Sequence, residues 1–352
     1  MRVLVLGGSI FLGRSVVDAA LAHGHDVAVL NRGRSQPNAA GIDAFLGDRN
    51  DPELLARVAS AGPWDVIVDT SGYEPEEVAL SAASLGPVCR RYVFVSTVTA
   101  FEDWPTAPVN ESSRLLAFVP AARSYGASKA ECERELESAL GDRLTVIYPG
   151  IMIGPRENVG RLPWWLARHA RGGPVIHSLE DSAIAPIDAR DVAEFVVRLG
   201  EQATRGVVAA TRFIVAGARG RATFGEFLGY CQEVTGGSAS PVEVPADILL
   251  EHGVEPWTEL PLWAPTGHGA DAVWATDSSA AVRAGLTFRS LRETIADTWE
   301  WMRGIGAATD TARLPAFKAG IGLDATKEQQ VIAAAQQKLI GWRDTRTQSG
   351  TA

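Results

Sequence analysis

The segment VLVLGGSIFLGR, residues 3–14, constrains this chain more than any other stretch. The apolar run Val3–Leu6 breaks on Gly7 and Gly8. A helical pattern then begins, with Val16, Val17, Ala20 and Leu21 on one face. A strand that turns on glycines straight into a helix leaves bare backbone amides at the helix N-terminus, where a phosphate can be held. Gly7 and Gly8 permit the positive φ of a tight turn. Gly13, six residues after Gly7, lets the helix lie close to the strand, while Ile10 stands where such turns usually carry another glycine. An ordinary strand-to-helix turn could look the same, so the loop needs support from elsewhere in the chain.

The alternation continues. Further short apolar runs occur at Asp26–Leu30, Ala44–Leu46, Val66–Asp69, Tyr92–Ser96 and Leu144–Tyr148, with amphipathic stretches between them. Near-continuous apolar strands separated by helices predict a parallel sheet covered on both faces. The expected fold class is therefore α/β, a Rossmann-type doubly wound sheet, with ligands beyond the carboxyl ends of the strands. After residue 150 the texture changes, and eight of the ten tryptophans fall there among Pro- and Gly-rich loops. The sequence divides into a dinucleotide-binding domain over 1–155 and a mixed segment over 156–310. Within the latter, 186–215 returns to the sheet and the rest forms a smaller substrate-binding lobe. A helical C-terminal extension and tail fills 311–352.

The totals exclude several classes. The 352 residues are 46% apolar and 21% charged, ordinary for a globular protein. A net charge of −9 without a basic stripe argues against nucleic acid as a partner. No window reaches the roughly 18 apolar residues of a membrane span, and the opening apolar run carries no cleavage-site pattern. A cytoplasmic monomer or homodimer acting on a small molecule is expected. Cys89, Cys132 and Cys231 are far apart and odd in number, which suggests buried free thiols and neither disulfides nor a zinc site. His23 and His25, at a helix end remote from the glycine turn, read as structural, and no metal site is expected.

The stretch SYGASKA, residues 124–130, sharpens the first signal. Tyr125 and Lys129 are four apart and share a helix face. An ammonium near a phenol favours the phenolate and lowers a pKa that starts near 10, making the tyrosine a candidate proton donor or acceptor. The pair follows a strand ending in VFVSTVT, whose hydroxyls at Ser96, Thr97 or Thr99 can meet the phenol at the sheet edge.

With these pieces the chain resembles an extended short-chain dehydrogenase/reductase, near the NAD-dependent epimerase/dehydratase branch. The resemblance covers most of residues 1–300. It rests on the glycine turn, GDRND, VIVDTSG, YVFVSTVTAF, YGASKA and PIDARDVA. It implies Thr97, Tyr125 and Lys129 as the catalytic set, with Lys129 also binding the nicotinamide ribose. It implies Asp48 as the residue that hydrogen-bonds the adenine, with Thr70, Ser71 and Gly72 beside the cofactor. The turn then holds a pyrophosphate through Gly7, Gly8, Gly13 and the amides of Phe11 and Leu12, with Ile10 turned aside.

The second strand ends in Asn31-Arg32-Gly33-Arg34 and carries no acidic residue for ribose hydroxyls. Guanidinium groups match a phosphate, so Asn31, Arg32 and Arg34 favour NADP, with NAD as the alternative. Thr97 is followed by Val98-Thr99 and not by the Asp-Glu pair of related dehydratases, which argues against elimination. The stretch SAIAPIDA, residues 182–189, lacks the arginine that related enzymes use for a nucleotide-sugar diphosphate; Arg156, Arg161 and Arg168 are the candidates to replace it. Trp164 and Trp165 fit either packing within the smaller lobe or an aromatic wall for a ring-shaped substrate, with Thr99 and Arg156 as further substrate candidates. The expected activity is NADP-dependent hydride transfer between nicotinamide and a secondary alcohol or ketone. The rivals are an epimerase that retains its nicotinamide, acting on a sugar or nucleoside-like substrate, and a non-catalytic dinucleotide sensor.

Overall fold

A computed structural model describes residues 1–34, 41–179, 181–207, 211–218, 220–265, 267, 269–308 and 320–349. Residues 311–319 of the expected C-terminal extension therefore lie outside the described residues. The chain divides into two compact units. The first comprises Met1–Arg156, Ala185–Arg221 and Asp271–Ser290, and the second Glu157–Ile184, Ala222–Ala270 and Leu291–Ala352.

The first unit carries the strands β1 (Arg2–Leu6), β2 (Asp26–Asn31), β3 (Asp43–Leu46), β4 (Trp64–Asp69), β5 (Cys89–Val95) and β6 (Leu144–Pro149). The short β7 (Met152–Ile153) pairs with β10 (Ile187–Asp188), and β11 (Arg212–Val215) returns to the main sheet. Its helices are α1 (Phe11–Ala22), α2 (Pro52–Ser60), α3 (Pro75–Leu85), α4 (Tyr125–Leu140), α6 (Ala189–Thr204), α9 (Ala270–Val273, from its second residue on) and α10 (Ser279–Arg283). The second unit holds α5 (Arg161–Arg171), α7 (Phe224–Thr235), α8 (Ala246–Glu251), α11 (Leu291–Gly304) and α12 (Ala325–Ser349). Two strand pairs accompany them: β8 (Gly173–His177) with β13 (Ala239–Glu243), and β9 (Ala183–Ile184) with β12 (Ala222–Thr223).

The main sheet has seven strands in the order β11-β6-β5-β4-β1-β2-β3, all parallel. All six runs expected from the sequence form strands in it, each within three residues at either end. Strand alternation decides the two cores. Val3 and Val5 of β1 face a layer with Val16 and Val17 of α1 and Val192 and Val196 of α6. Leu4 and Leu6 face the opposite layer with Leu54, Val78 and Leu136 of α2, α3 and α4. Each such side chain, fully buried, contributes about 1.5–3 kcal/mol. From β1 the chain runs outward to β2 and β3 and then crosses back to β4 on the other side of β1. The strand order reverses there, the kind of switch point at which a crevice opens beyond the carboxyl ends.

Among the described residues, no helix is long and apolar enough to cross a membrane. The three cysteines are free and buried.

Candidate active site

At the end of β1 the chain turns on Gly7 (φ +111°) and Gly8 (φ +80°), conformations that L side chains rarely adopt. A Cβ on Gly13 would lie 2.7 Å from the Gly8 nitrogen, so only glycine lets α1 approach the strand this closely. Ile10, the N-cap of α1, has an extended backbone (φ −136°, ψ 156°) that needs no glycine. The positive φ falls one residue later, on Phe11 (φ +40°), at a typical strain of about 1–3 kcal/mol. Burial of Phe11 and Leu12 in the core holds the turn in place.

No side chain caps α1, and its first turn contains no acid. With no side-chain cap among the described residues, the amides at this N-terminus carry the positive end of the helix dipole. A cradle without side chains fits the pyrophosphate of a dinucleotide.

At the end of β2, the Asn31 side chain accepts a hydrogen bond from the Gly33 amide at 2.9 Å. It shapes the turn that leaves Arg32 and Arg34 exposed. Asp48, beyond β3, is exposed, and its carboxylate accepts from the Asn50 amide at 2.9 Å. The cap of α2 is Asp51, which accepts from Glu53 and Leu54.

The end of β4 is fixed by a buried network that the sequence did not disclose. The Arg49 guanidinium donates to both Asp69 oxygens (2.9 and 2.8 Å) and to the Ser71 and Ser81 hydroxyls. Tyr92 donates to Asp69 at 2.8 Å. Against the cost of burial, the Arg49 charge holds the Asp69 carboxyl below its ordinary range. A charged residue ending the apolar run VIVD demands a partner, and that was the available signal for Arg49. The network shapes the turn through Thr70, whose hydroxyl donates to Leu6 O at 3.0 Å, Ser71 and Gly72.

Thr97 follows β5. Its hydroxyl accepts from the Thr99 amide at 3.2 Å and lies 3.1 Å from the Thr99 hydroxyl. Ser124 caps α4 by accepting from Ala127, so the helix begins on Tyr125. A Cβ on Gly126 would collide with the Thr99 carbonyl, which explains the glycine beside the tyrosine. The Tyr125 phenol lies near the Thr97 hydroxyl, which acts to lower its pKa.

The expected lowering of the phenol pKa is not found. Although Tyr125 is 53% exposed, partial loss of water, followed by the neighbouring Tyr73 phenol, pushes its phenol up to about 12, against the nearby Thr97 hydroxyl. Lys129 is turned elsewhere. Its ammonium donates to the carbonyls of Gly72 (2.7 Å) and Val95 (2.6 Å) and lies 3.9 Å from the centre of the Phe94 ring. Burial brings its pKa down to about 8, while the Asp69 carboxylate pulls the other way.

Tyr73 was also missed. It is 52% exposed, its ring centre is 6.4 Å from that of Tyr125, and the charge of Arg32 acts on its phenol. Its signal was an aromatic directly after the glycine of VIVDTSG.

The remaining substrate candidates fall otherwise. Trp165 is a core residue of the second unit, not an open wall. It is fully buried, donates to Pro261 O at 2.7 Å and packs edge-on against Phe224 at 5.6 Å. Trp164 packs edge-on against Trp165 at 4.6 Å. Arg168 is buried in an ion pair with Glu328 at 2.9 Å, which removes it as a diphosphate ligand. Arg161 pairs with Glu157, and Arg156 pairs with Asp18 of α1 at 3.0 Å.

The chain is similar to known proteins in sequence and in fold. A 2′-dehydrokanamycin reductase from Streptomyces kanamyceticus is 30% identical over 187 residues, 50% of this chain and 51% of that protein. A chloroplast stem-loop binding protein of 41 kDa from Arabidopsis thaliana is 28% identical over 188 residues, 49% of this chain and 48% of that protein. The matches span about half the length of these two relatives. Among solved structures, the Bordetella bronchiseptica enzyme WbmH in complex with NAD+ superposes with a TM-score of 0.66 at 17% identity. It covers 87% of this chain and 99% of its own. The model of the NAD dependent epimerase/dehydratase family matches residues 3–211, more than half of the chain, and the chain belongs to that family.

Proposed function

We propose that the chain is an NADP-dependent reductase that converts a ketone on a small, ring-shaped metabolite into a secondary alcohol. The placement of Tyr125, at the start of a helix that abuts the Thr97–Thr99 turn, at the same sheet edge as the uncapped end of α1, carries this reading. A nicotinamide cofactor held there supplies the hydride. A phenol with a pKa near 12 is protonated at neutral pH, so Tyr125 acts as the acid that protonates the carbonyl oxygen. Thr97 hydrogen-bonds the same oxygen. Lys129 spends two of its three donors on Gly72 and Val95 and has one left for the ribose. Arg32 and Arg34 would take the 2′-phosphate. Similarity to 2′-dehydrokanamycin reductase supports the reductive direction and a ring ketone.

The test incubates the protein with NADPH and cyclic ketones, 2′-dehydrokanamycin among them. Cofactor should be consumed in step with alcohol formed. Tyr125→Phe should lower kcat/KM by about 10²–10⁴-fold while NADPH affinity changes by no more than a few fold. A Phe variant that keeps most of its activity removes Tyr125 as the acid. Cofactor that co-purifies and is not consumed, while a stereocentre inverts, replaces the reductase with an epimerase.

A further inference from the structure

At the opposite end of the sheet from this site, four side chains meet that no step above uses. His23 ends α1, His25 precedes β2, and Glu194 and Glu201 stand two turns apart on α6, which packs on α1. One oxygen of Glu201, Oε1, lies 3.0 Å from His23 Nδ1 and 3.1 Å from His25 Nε2. The other ring nitrogen of His23, Nε2, lies 2.9 Å from Glu194 Oε2. The three groups His23, His25 and Glu201 each offer a ligand atom, and these atoms lie within 4.8 Å of one another.

We propose that His23 Nδ1, His25 Nε2 and Glu201 Oε1 form a binding site for a divalent transition cation of the zinc class, with Glu194 orienting His23 from behind. A tetrahedral zinc with Zn–N near 2.0–2.1 Å sets its ligand atoms about 3.3–3.4 Å apart, close to the two nitrogen–oxygen separations of 3.0 and 3.1 Å found here. Small side-chain shifts would let the cation take the place of the protons now shared between Glu201 and the two rings.

Two further features fit. A metal-bound imidazole commonly has a carboxylate on its second nitrogen, and Glu194 occupies that place. Two imidazoles and one carboxylate select zinc, copper or nickel over magnesium or calcium, which prefer all-oxygen sites. Three protein ligands leave a fourth position for water. The cation would tie the C-terminal end of α1 to α6. This inference is independent of the proposed reductase chemistry.

The test uses the full chain without a polyhistidine tag, dialysed against a chelator. Titration with ZnCl2 by calorimetry should show one saturable site per chain, and CoCl2 should give visible bands of tetrahedral intensity. Glu201→Gln should abolish both signals. Glu194→Gln should weaken zinc binding by about 10- to 100-fold. Its partly exposed side chain makes it the variant that carries the test if Glu201→Gln fails to fold. Excess MgCl2 should not compete. Absence of saturable zinc binding, equal binding in wild type and both variants, or displacement by magnesium overturns the assignment.

Discussion

The two ends of α1 are built on opposite plans. Its N-terminal end is stripped of side chains: two glycines precede it, no residue caps it, and no acid occupies its first turn. Its C-terminal end is crowded, with two histidines facing two glutamates of α6. The bare end exposes backbone donors and suits an anion. The crowded end presents nitrogen and oxygen lone pairs and suits a cation. One helix thus sets two opposite electrostatic environments about twelve residues apart, at some 1.5 Å per residue. The bare end is encoded in adjacent residues, whereas the crowded end depends on contacts between positions 171 and 178 apart in the chain.

The strongest way to break this comparison is to put a side chain where the bare end has none. Gly13→Val would drive Cβ into the Gly8 backbone and the Thr70 hydroxyl, at 2.7 and 2.9 Å. Helix and strand must separate, at a cost of about 1–3 kcal/mol in stability. NADPH binding, followed by fluorescence titration, should collapse. Unchanged affinity in a folded variant would mean that the turn holds no dinucleotide.

The next effect concerns the charge beside the cradle. Arg32→Ala combined with Arg34→Ala should weaken NADPH by about 10- to 100-fold, the scale of one charge-assisted hydrogen bond at 1.5–3 kcal/mol. NADH should change by no more than a few fold. Equal losses for the two cofactors, measured by parallel titration, would remove the 2′-phosphate role and leave the two arginines as a solvated turn.

What could be seen beforehand follows the same division. The sheet was legible because its strands are apolar runs buried on both faces, and the glycine turn because its demands are local. Tyr125 and Lys129 were placed on one helix face by spacing alone, and the structure keeps them there. Their electrostatics were not legible. Lys129 points its ammonium at Gly72 and Val95, 57 and 34 positions away, and no local pattern reports that. Arg49 and Asp69 escaped notice because each motif was read for its exposed acid or turn residues, while the pair forms 20 positions apart inside the core. The tryptophans were ambiguous for a related reason. An aromatic pair in a loop-rich region fits a ligand wall and a small core equally well, and Trp165 went to the core.

Ile10 offers a finer test of the bare end. If a missing glycine had damaged the turn, restoring it would strengthen cofactor binding. The backbone of residue 10 is extended, and the strain sits on Phe11. Ile10→Gly should therefore gain nothing and cost about 0.5–1 kcal/mol in backbone entropy. NADPH affinity should stay within a few fold. A rise of tenfold or more would show that Ile10 hinders the phosphate after all.

The smallest effect belongs to the crowded end, and there the sign is informative. Hydrogen bonding to Glu201 raises the His23 pKa above 6.5, in spite of partial burial. In metal-free protein this pairing stabilises the fold fully below 6.5 and is lost as pH rises through the raised value. His25 is shifted down, chiefly by burial, so its contribution rises with pH and is complete by 6.5. Glu201, lowered first by the bond to His23, loses its contribution only in acid. Above 6.5, then, His23 alone among these three changes state, and the difference in Tm between wild type and His23→Gln should shrink as pH rises. For a partly exposed pair the difference amounts to about 0–1 kcal/mol. Zinc requires neutral imidazoles, so its affinity grows as protons leave. With ZnCl2 present the same difference should widen over that pH range, because the variant lacks a ligand. A difference that shrinks equally with and without zinc would leave this end of α1 as an ion pair and nothing more.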